Sequence, residues 1–211
     1  MPAVTTPRPA RPTRPDRLTS KGERRREQLL DAAIVVVARD GYAGATQRAI
    51  AAEAGVPPAS THYFFDSVED LVRQATTRYL EQRLAFYGEQ IDAFAATDRS
   101  PAAGCKLVAE ILSGIGVDTR TAQFEIYLNA RRQADLQPAV LDAVERLEAL
   151  CERLLQTMGV ADAPRWAAAF LAIGDGFALR SVAGSPASTR QMEAAFLAIV
   201  LAEQTGAADL R

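Results

Sequence analysis

Twenty residues, Thr46 to Phe65, constrain this chain more tightly than any other stretch: TQRAIAAEAGVPPASTHYFF. Two short helical segments meet there at Gly55. In the first, Gln47–Ala54, the residues Ile50, Ala51 and Ala54 fall at i, i+1 and i+4 and form one apolar stripe. The second opens at Pro57-Pro58, where a missing N–H costs little because first-turn donors have no helical partner. Gly55 tolerates the positive φ that a tight interhelical turn demands. Ala51 is small where the helices would cross. The spacing predicts a helix-turn-helix; an ordinary helical hairpin is the bland reading of the same residues.

In a helix-turn-helix the second helix lies in the major groove and the first crosses the backbone. The outward face of the second helix carries Ala59, Ser60, His62 and Tyr63. Hydroxyl and imidazole groups bond phosphate oxygens or base edges, and methyl carbons touch thymine. Arg48, in the first helix, is the residue of this stretch able to fork onto a guanine.

Charge supports a polyanionic partner for the front of the chain. The net charge is −2 and the isoelectric point is near 5.6, which argues against nucleic acid when averaged. Up to Phe65, however, ten basic residues stand against six acidic ones, a surplus of four positive charges. Beyond it, fourteen basic residues face twenty acidic ones. A basic front on an acidic body restores the case.

Residues 1–20 hold proline, threonine and arginine with few large apolar groups, too little to form a core. Arg8, Arg11, Arg14 and Arg17 recur every third residue, the period of polyproline II, and would line one edge of an extended arm. Such an arm either follows phosphates or is a charged tail. The spacing then predicts a helix over Lys21–Arg39 with Leu30, Ile34, Val37 and Ala38 inward and Leu29, Ala33 and Val36 widening that face, stopped by Asp40-Gly41. After the helix-turn-helix, Ser67 and Asp70 suggest a capping box for a long helix from Val68 to about Phe94. Its apolar residues spread round two sides, as a connector's would. Further helices are expected from Pro101 to about Ser113, through Phe124 to about Ala134, from Pro138 to about Met158, over Ala163–Ala183 and over Thr189–Glu203. No segment alternates with period two over strand length, so the chain is expected to be all-α.

The last two helices have broad faces rich in Ala and Gly, suited either to a homodimer's four-helix interface or to their own core. Candidate pocket residues are Phe86, Tyr87, Phe124, Tyr127, Trp166 and Phe170, since ligand pockets are mostly apolar and aromatic; plain core is the alternative for each. Asp175 and Arg131 are candidate orienting groups. Enzyme chemistry finds little here. The one histidine, His62, sits among the outward residues, so histidine metal clusters and a separate Ser-His-Asp site are excluded by count. No nucleophile elbow, P-loop or complete dinucleotide fingerprint occurs, and no metal or cofactor is implied. The longest apolar run, Ala194–Ala202, is far short of the ~20 residues a membrane span needs. With no apolar leader and two isolated cysteines, Cys105 and Cys151, a cytoplasmic protein is expected.

From Arg25 to Val72 the order of parts resembles the TetR family of bacterial transcriptional regulators: a helix with Asp31-Ala32-Ala33, then Gly41-Tyr42, the Ala54-Gly55-Val56 turn, an aromatic-rich helix ending at Phe65, and a capped long helix. The resemblance implies about nine helices, a homodimer through the last two, and a cavity in the acidic body for a small-molecule effector. It implies a repressor of a pseudo-palindromic double-stranded operator, released by a small apolar or aromatic ligand. By position it makes Thr46, Gln47, Arg48, Ser60, His62 and Tyr63 DNA contacts. It divides the chain into an arm (1–20), a DNA-binding head (21–66) and a ligand-binding and dimerisation body (67–211). Two departures stand out: Pro58 replaces a polar or basic residue, and Val68 replaces a phosphate-gripping lysine. They keep open a helical dimeric ligand- or protein-binding module without DNA binding.

Overall fold

The computed structural model describes residues 20–204, and among these it contains nine α-helices and no strand. The all-α expectation holds. The arginine-rich arm, residues 1–19, lies outside the described residues, as does the chain after residue 204.

Helix α1 (Ser20–Gly44) is broken where the sequence suggested a stop: Gly41 has φ 70 and ψ 176, a left-handed excursion that only glycine makes without strain. Helix α2 (Gln47–Glu53) starts at Thr46, whose hydroxyl accepts from the Ala49 N–H at 3.2 Å. Gly55, with φ 63, turns the chain into α3 (Ala59–Phe64). Leu29, Ala33, Val36, Val37, Ile50, Ala51 and Leu71 are fully buried and join these helices to the start of α4 (Val68–Ala95). The inward face of α1 is therefore turned toward Leu29, Ala33 and Val36; Ile34 and Ala38 sit half-buried at its edge.

Ser67 caps α4 as the capping-box pattern suggested, its Oγ accepting from the Asp70 N–H at 3.0 Å. The first turns of α4 belong to the head's core through Leu71, Val72 and Ala75. Farther along, Leu80 and Leu84 enter a second cluster, and Ile91 and Phe94 a third. The two-sided apolar pattern thus reflects one helix passing through three packing environments.

Behind it lie α5 (Pro101–Gly114), α6 (Val117–Ala130), α7 (Gln137–Thr157), α8 (Ala163–Val182) and α9 (Thr189–Gln204). Helix α5 packs on α9, α7 on α8 and on α4, and α6 along α1. Helix α6 ends earlier than the sequence suggested, because residues 131–136 turn before Leu136 buries its side chain. No described helix is long and apolar enough to cross a membrane.

Candidate nucleic-acid interface and a buried cavity

The two helices of the turn are tied by one carbonyl. Pro58 O accepts from Gln47 Nε2 at 2.8 Å, from Thr61 Oγ1 at 2.8 Å and from Thr61 N at 3.2 Å. A six-residue helix cannot hold itself in water, so α3 depends on these bonds and on the buried Thr61 and Phe64. The opposite side of α3 faces outward. Tyr63 is 59% exposed, with its ring edge-on to Phe64 at 4.9 Å; His62 is exposed and Ser60 half-buried.

On α2, Thr46 and Arg48 are exposed, while Gln47 is half-buried by its bond to Pro58. Among the described residues, Lys21, Arg25 and Arg48 have no ion-pair partner. Other head arginines are committed. Arg39 pairs with Asp40 at 2.9 Å and Glu53 at 2.7 Å, which joins α1 to α2. Arg26 bonds Gln74 Oε1 and stacks over Phe65 at 5.4 Å. Val68, in place of a lysine, packs against the head's core. The structure therefore brings Ser60, His62, Tyr63 and Arg48 to accessible positions around one turn, with Thr46 and Gln47 partly spent on holding it.

The second site is a partly open cavity of about 120 Å³ lined by α4 to α9. Leucine, isoleucine and valine make about half of its wall, with Tyr79, Tyr87, Tyr127 and Phe170 beside them. Three of the six aromatic residues singled out from the sequence thus line it. The other three do not. Phe86 stands at the margin of α4's inner face, 39% exposed, and backs Arg83 at 5.4 Å. Phe124 lies edge-on behind Tyr127, ring centres 6.2 Å apart. Trp166, one turn before Phe170 on α8, lies outside the wall and donates its Nε1–H to Glu203 Oε2 at 2.9 Å.

Four polar side chains reach the cavity wall: Arg83, Arg120, Gln123 and Asp175. Arg83 lies over the Tyr87 ring at 4.6 Å and donates to its hydroxyl. Arg120 is 8% exposed and donates through Nη2 to Leu112 O. Gln123 Nε2 bridges Asp175 Oδ1 at 3.1 Å and the Tyr127 hydroxyl at 3.3 Å. Burial pushes the Asp175 carboxyl above its ordinary range, against the stabilising bond from Gln123. Burial also pushes the Tyr79 hydroxyl up to about 12 and the Cys151 thiol to about 12, so neither ionises near neutrality. Arg131, the other orienting group suggested by the sequence, is exposed at the end of α6 and outside the cavity. Sequence reasoning missed Arg83, Arg120 and Gln123. A charged residue three or four positions from an apolar one on α4 or α6 was the available signal.

Comparison with known proteins bears on both sites. Residues 29–75 match the family described as bacterial regulatory proteins, tetR family, and residues 99–202 match the tetracyclin repressor-like C-terminal domain. The chain is 31% identical over 166 residues to the HTH-type nicotine-responsive transcriptional repressor HdnoR of Paenarthrobacter nicotinovorans, covering 74% of this chain and 82% of the relative. The multidrug binding protein EbrR, solved with imidazole, is 30% identical with TM-score 0.60, over 83% of this chain and 94% of that one. A TetR-family regulator of Mesorhizobium loti shares the fold at TM-score 0.74 and 16% identity, over 89% and 98% of the two chains. An accessible polar turn, a basic front and two matched halves lead to one conclusion: this chain belongs to the TetR family and is a helix-turn-helix, DNA-binding transcriptional regulator.

Proposed function

We propose that this regulator is a homodimeric repressor whose grip on a pseudo-palindromic operator is released when a small organic molecule fills the cavity. In this reading residues 21–66 are the DNA-reading head, residues 67–211 the effector and dimer body, and residues 1–20 an arm that follows phosphates. Thr46, Gln47, Arg48, Ser60, His62 and Tyr63 contact DNA. Tyr87, Tyr127 and Phe170 contact the effector.

One observation carries the coupling. Helix α6 lines the cavity with Arg120, Gln123 and Tyr127, while another side of it packs along α1 of the head. Glu125 on that side stands next to the break in α1: a Cβ built on Gly41 would lie 3.4 Å from Glu125 Oε2. A ligand that moves α6 therefore meets α1 directly. The release it produces equals its preference for the body whose heads are mis-spaced, and no more. For the dimer, the support is the exposure of Leu179 on α8 and Leu201 on α9, beside small residues including Gly176. Two heads would then enter major grooves roughly 34–36 Å apart, or a multiple of that.

The test is fluorescence anisotropy with duplex DNA from beside the protein's own gene, titrated with and without compounds shown calorimetrically to bind. Saturable, salt-sensitive binding of one dimer per site, weakened by such a compound, is the expected result. A compound that fills the cavity yet leaves operator affinity unchanged sinks the release mechanism for that compound.

A further inference from the structure

The charges in the cavity wall do not balance. Two guanidinium groups, Arg83 and Arg120, and one carboxylate, Asp175, line it. Among the described residues no ion pair joins either arginine to any acid. Asp175 is held instead by Gln123, at 3.1 Å. The surplus is therefore positive whether Asp175 is ionised or neutral.

Arg83 is partly compensated by its seat over Tyr87. Arg120 is not. It is only 8% exposed, it donates to the carbonyl of Leu112, and no described group accepts from its Nε. A guanidinium taken out of water without an anion is costly, and a carboxylate is the partner its fork matches best. We propose that the cavity takes an organic anion, a carboxylate on an apolar body, with Arg120 as its charge partner. The body lies against Leu107, Val108, Ile111 and Leu112 of α5, all in the wall and without charge.

The competing chemistry is an organic base. The nicotine-responsive HdnoR and the imidazole complex of EbrR point that way, and Asp175 with the tyrosine rings offers such a base a seat. Two features argue against it here. Arg83 already occupies the Tyr87 face, and a further cation entering a half-buried space with surplus positive charge meets repulsion that water screens only in part.

The test uses three ligands of equal length, octanoate, octylamine and octanol, by isothermal titration calorimetry on the full chain without DNA. Octanoate should bind about tenfold or more tightly than the other two, and Arg120→Gln should remove about tenfold of its affinity while Arg120→Lys keeps part of it. Melting curves establish that the variants fold; should Arg120→Gln fail to, the three-ligand preference of the unaltered protein and its persistence in Asp175→Asn decide. Octylamine binding as tightly as octanoate, none of the three binding, or a folded Arg120→Gln retaining octanoate within about twofold would each overturn the proposal. It rests on the cavity being the effector site only for its regulatory consequence. Binding is read apart from DNA, so failure here leaves the release mechanism standing, and the converse holds.

Discussion

Gln123 on α6 donates to Asp175 on α8 across 3.1 Å, and that bond is the principal polar stitch between two walls of the cavity. The Asp175 carboxyl is destabilised as an ion by burial, which raises its value in the folded chain above 3.8. A raised folded value means that the penalty is absent in acid and accrues as pH rises from the unfolded value through the folded one. Asp175→Asn keeps the shape and removes the charge. The variant should match the parent in acid and become the more stable of the two toward neutral pH. Urea denaturation at several pH values checks this, and a difference independent of pH would contradict it.

Arg48 is exposed on α2 and has no ion pair among the described residues. Arg48→Ala should weaken operator binding by about 1–3 kcal/mol, roughly fivefold to 150-fold, if it forks onto a guanine. Folding stability should stay within about 0.5 kcal/mol, since the side chain is exposed. Anisotropy titration with single base-pair changes would locate the base: the variant should stop discriminating at one position. Uniform weakening across sequences would mean a phosphate contact instead.

Gly104 is buried on α5 against α7 and α4. A Cβ there would fall within contact distance of Met158 Sδ, at 2.8 Å from Met158 Cγ and at 3.1 Å from Phe94 Cζ. Alanine is the better helix former by about 1 kcal/mol, but overpacking a tight core costs about 1–3 kcal/mol. Gly104→Ala should therefore be neutral at best and on balance destabilising, by roughly 1 kcal/mol. The midpoint of a urea melt measures it, and a clear gain in stability would show that Met158 yields freely.

Deleting residues 1–18 removes Arg8, Arg11, Arg14 and Arg17. Every phosphate that is no longer neutralised lowers the slope of log affinity against log salt by about 0.9. A flatter slope is expected from the truncated protein, by up to eight such steps for a dimer with two arms if every arginine engages. An unchanged slope would remove the arm from the interface.

The head was legible because its signals are local. Gly41 and Gly55 do adopt positive φ, and Ser67 does accept from a backbone N–H three residues on. Such features depend on a few neighbouring residues, and a sequence displays neighbours. The cavity was only half legible because its wall depends on how separate helices are rotated against each other. Tyr87 and Phe86 are adjacent in the chain, yet one lines the cavity and the other backs Arg83 from the margin. Trp166 and Phe170 lie one turn apart on α8, yet Trp166 turns to Glu203 on α9. Arg120 was passed over because a lone arginine near the start of a helix reads as solvated; its burial follows from the meeting of α5 and α6, which no short window of residues contains.

The break in α1 restricts how this protein can be retuned. Position 41 has a backbone conformation that side chains rarely adopt, so adjustment there is blocked by its φ of 70, while the Glu125 carboxylate, 3.4 Å from where a Cβ would begin, stands at ordinary contact distance. Under the release mechanism proposed above, communication between body and head would be adjusted from the other bank, by exchanging Glu125 for shorter or uncharged residues. A regulator with altered sensitivity but intact operator choice is most directly sought among variants of that one glutamate.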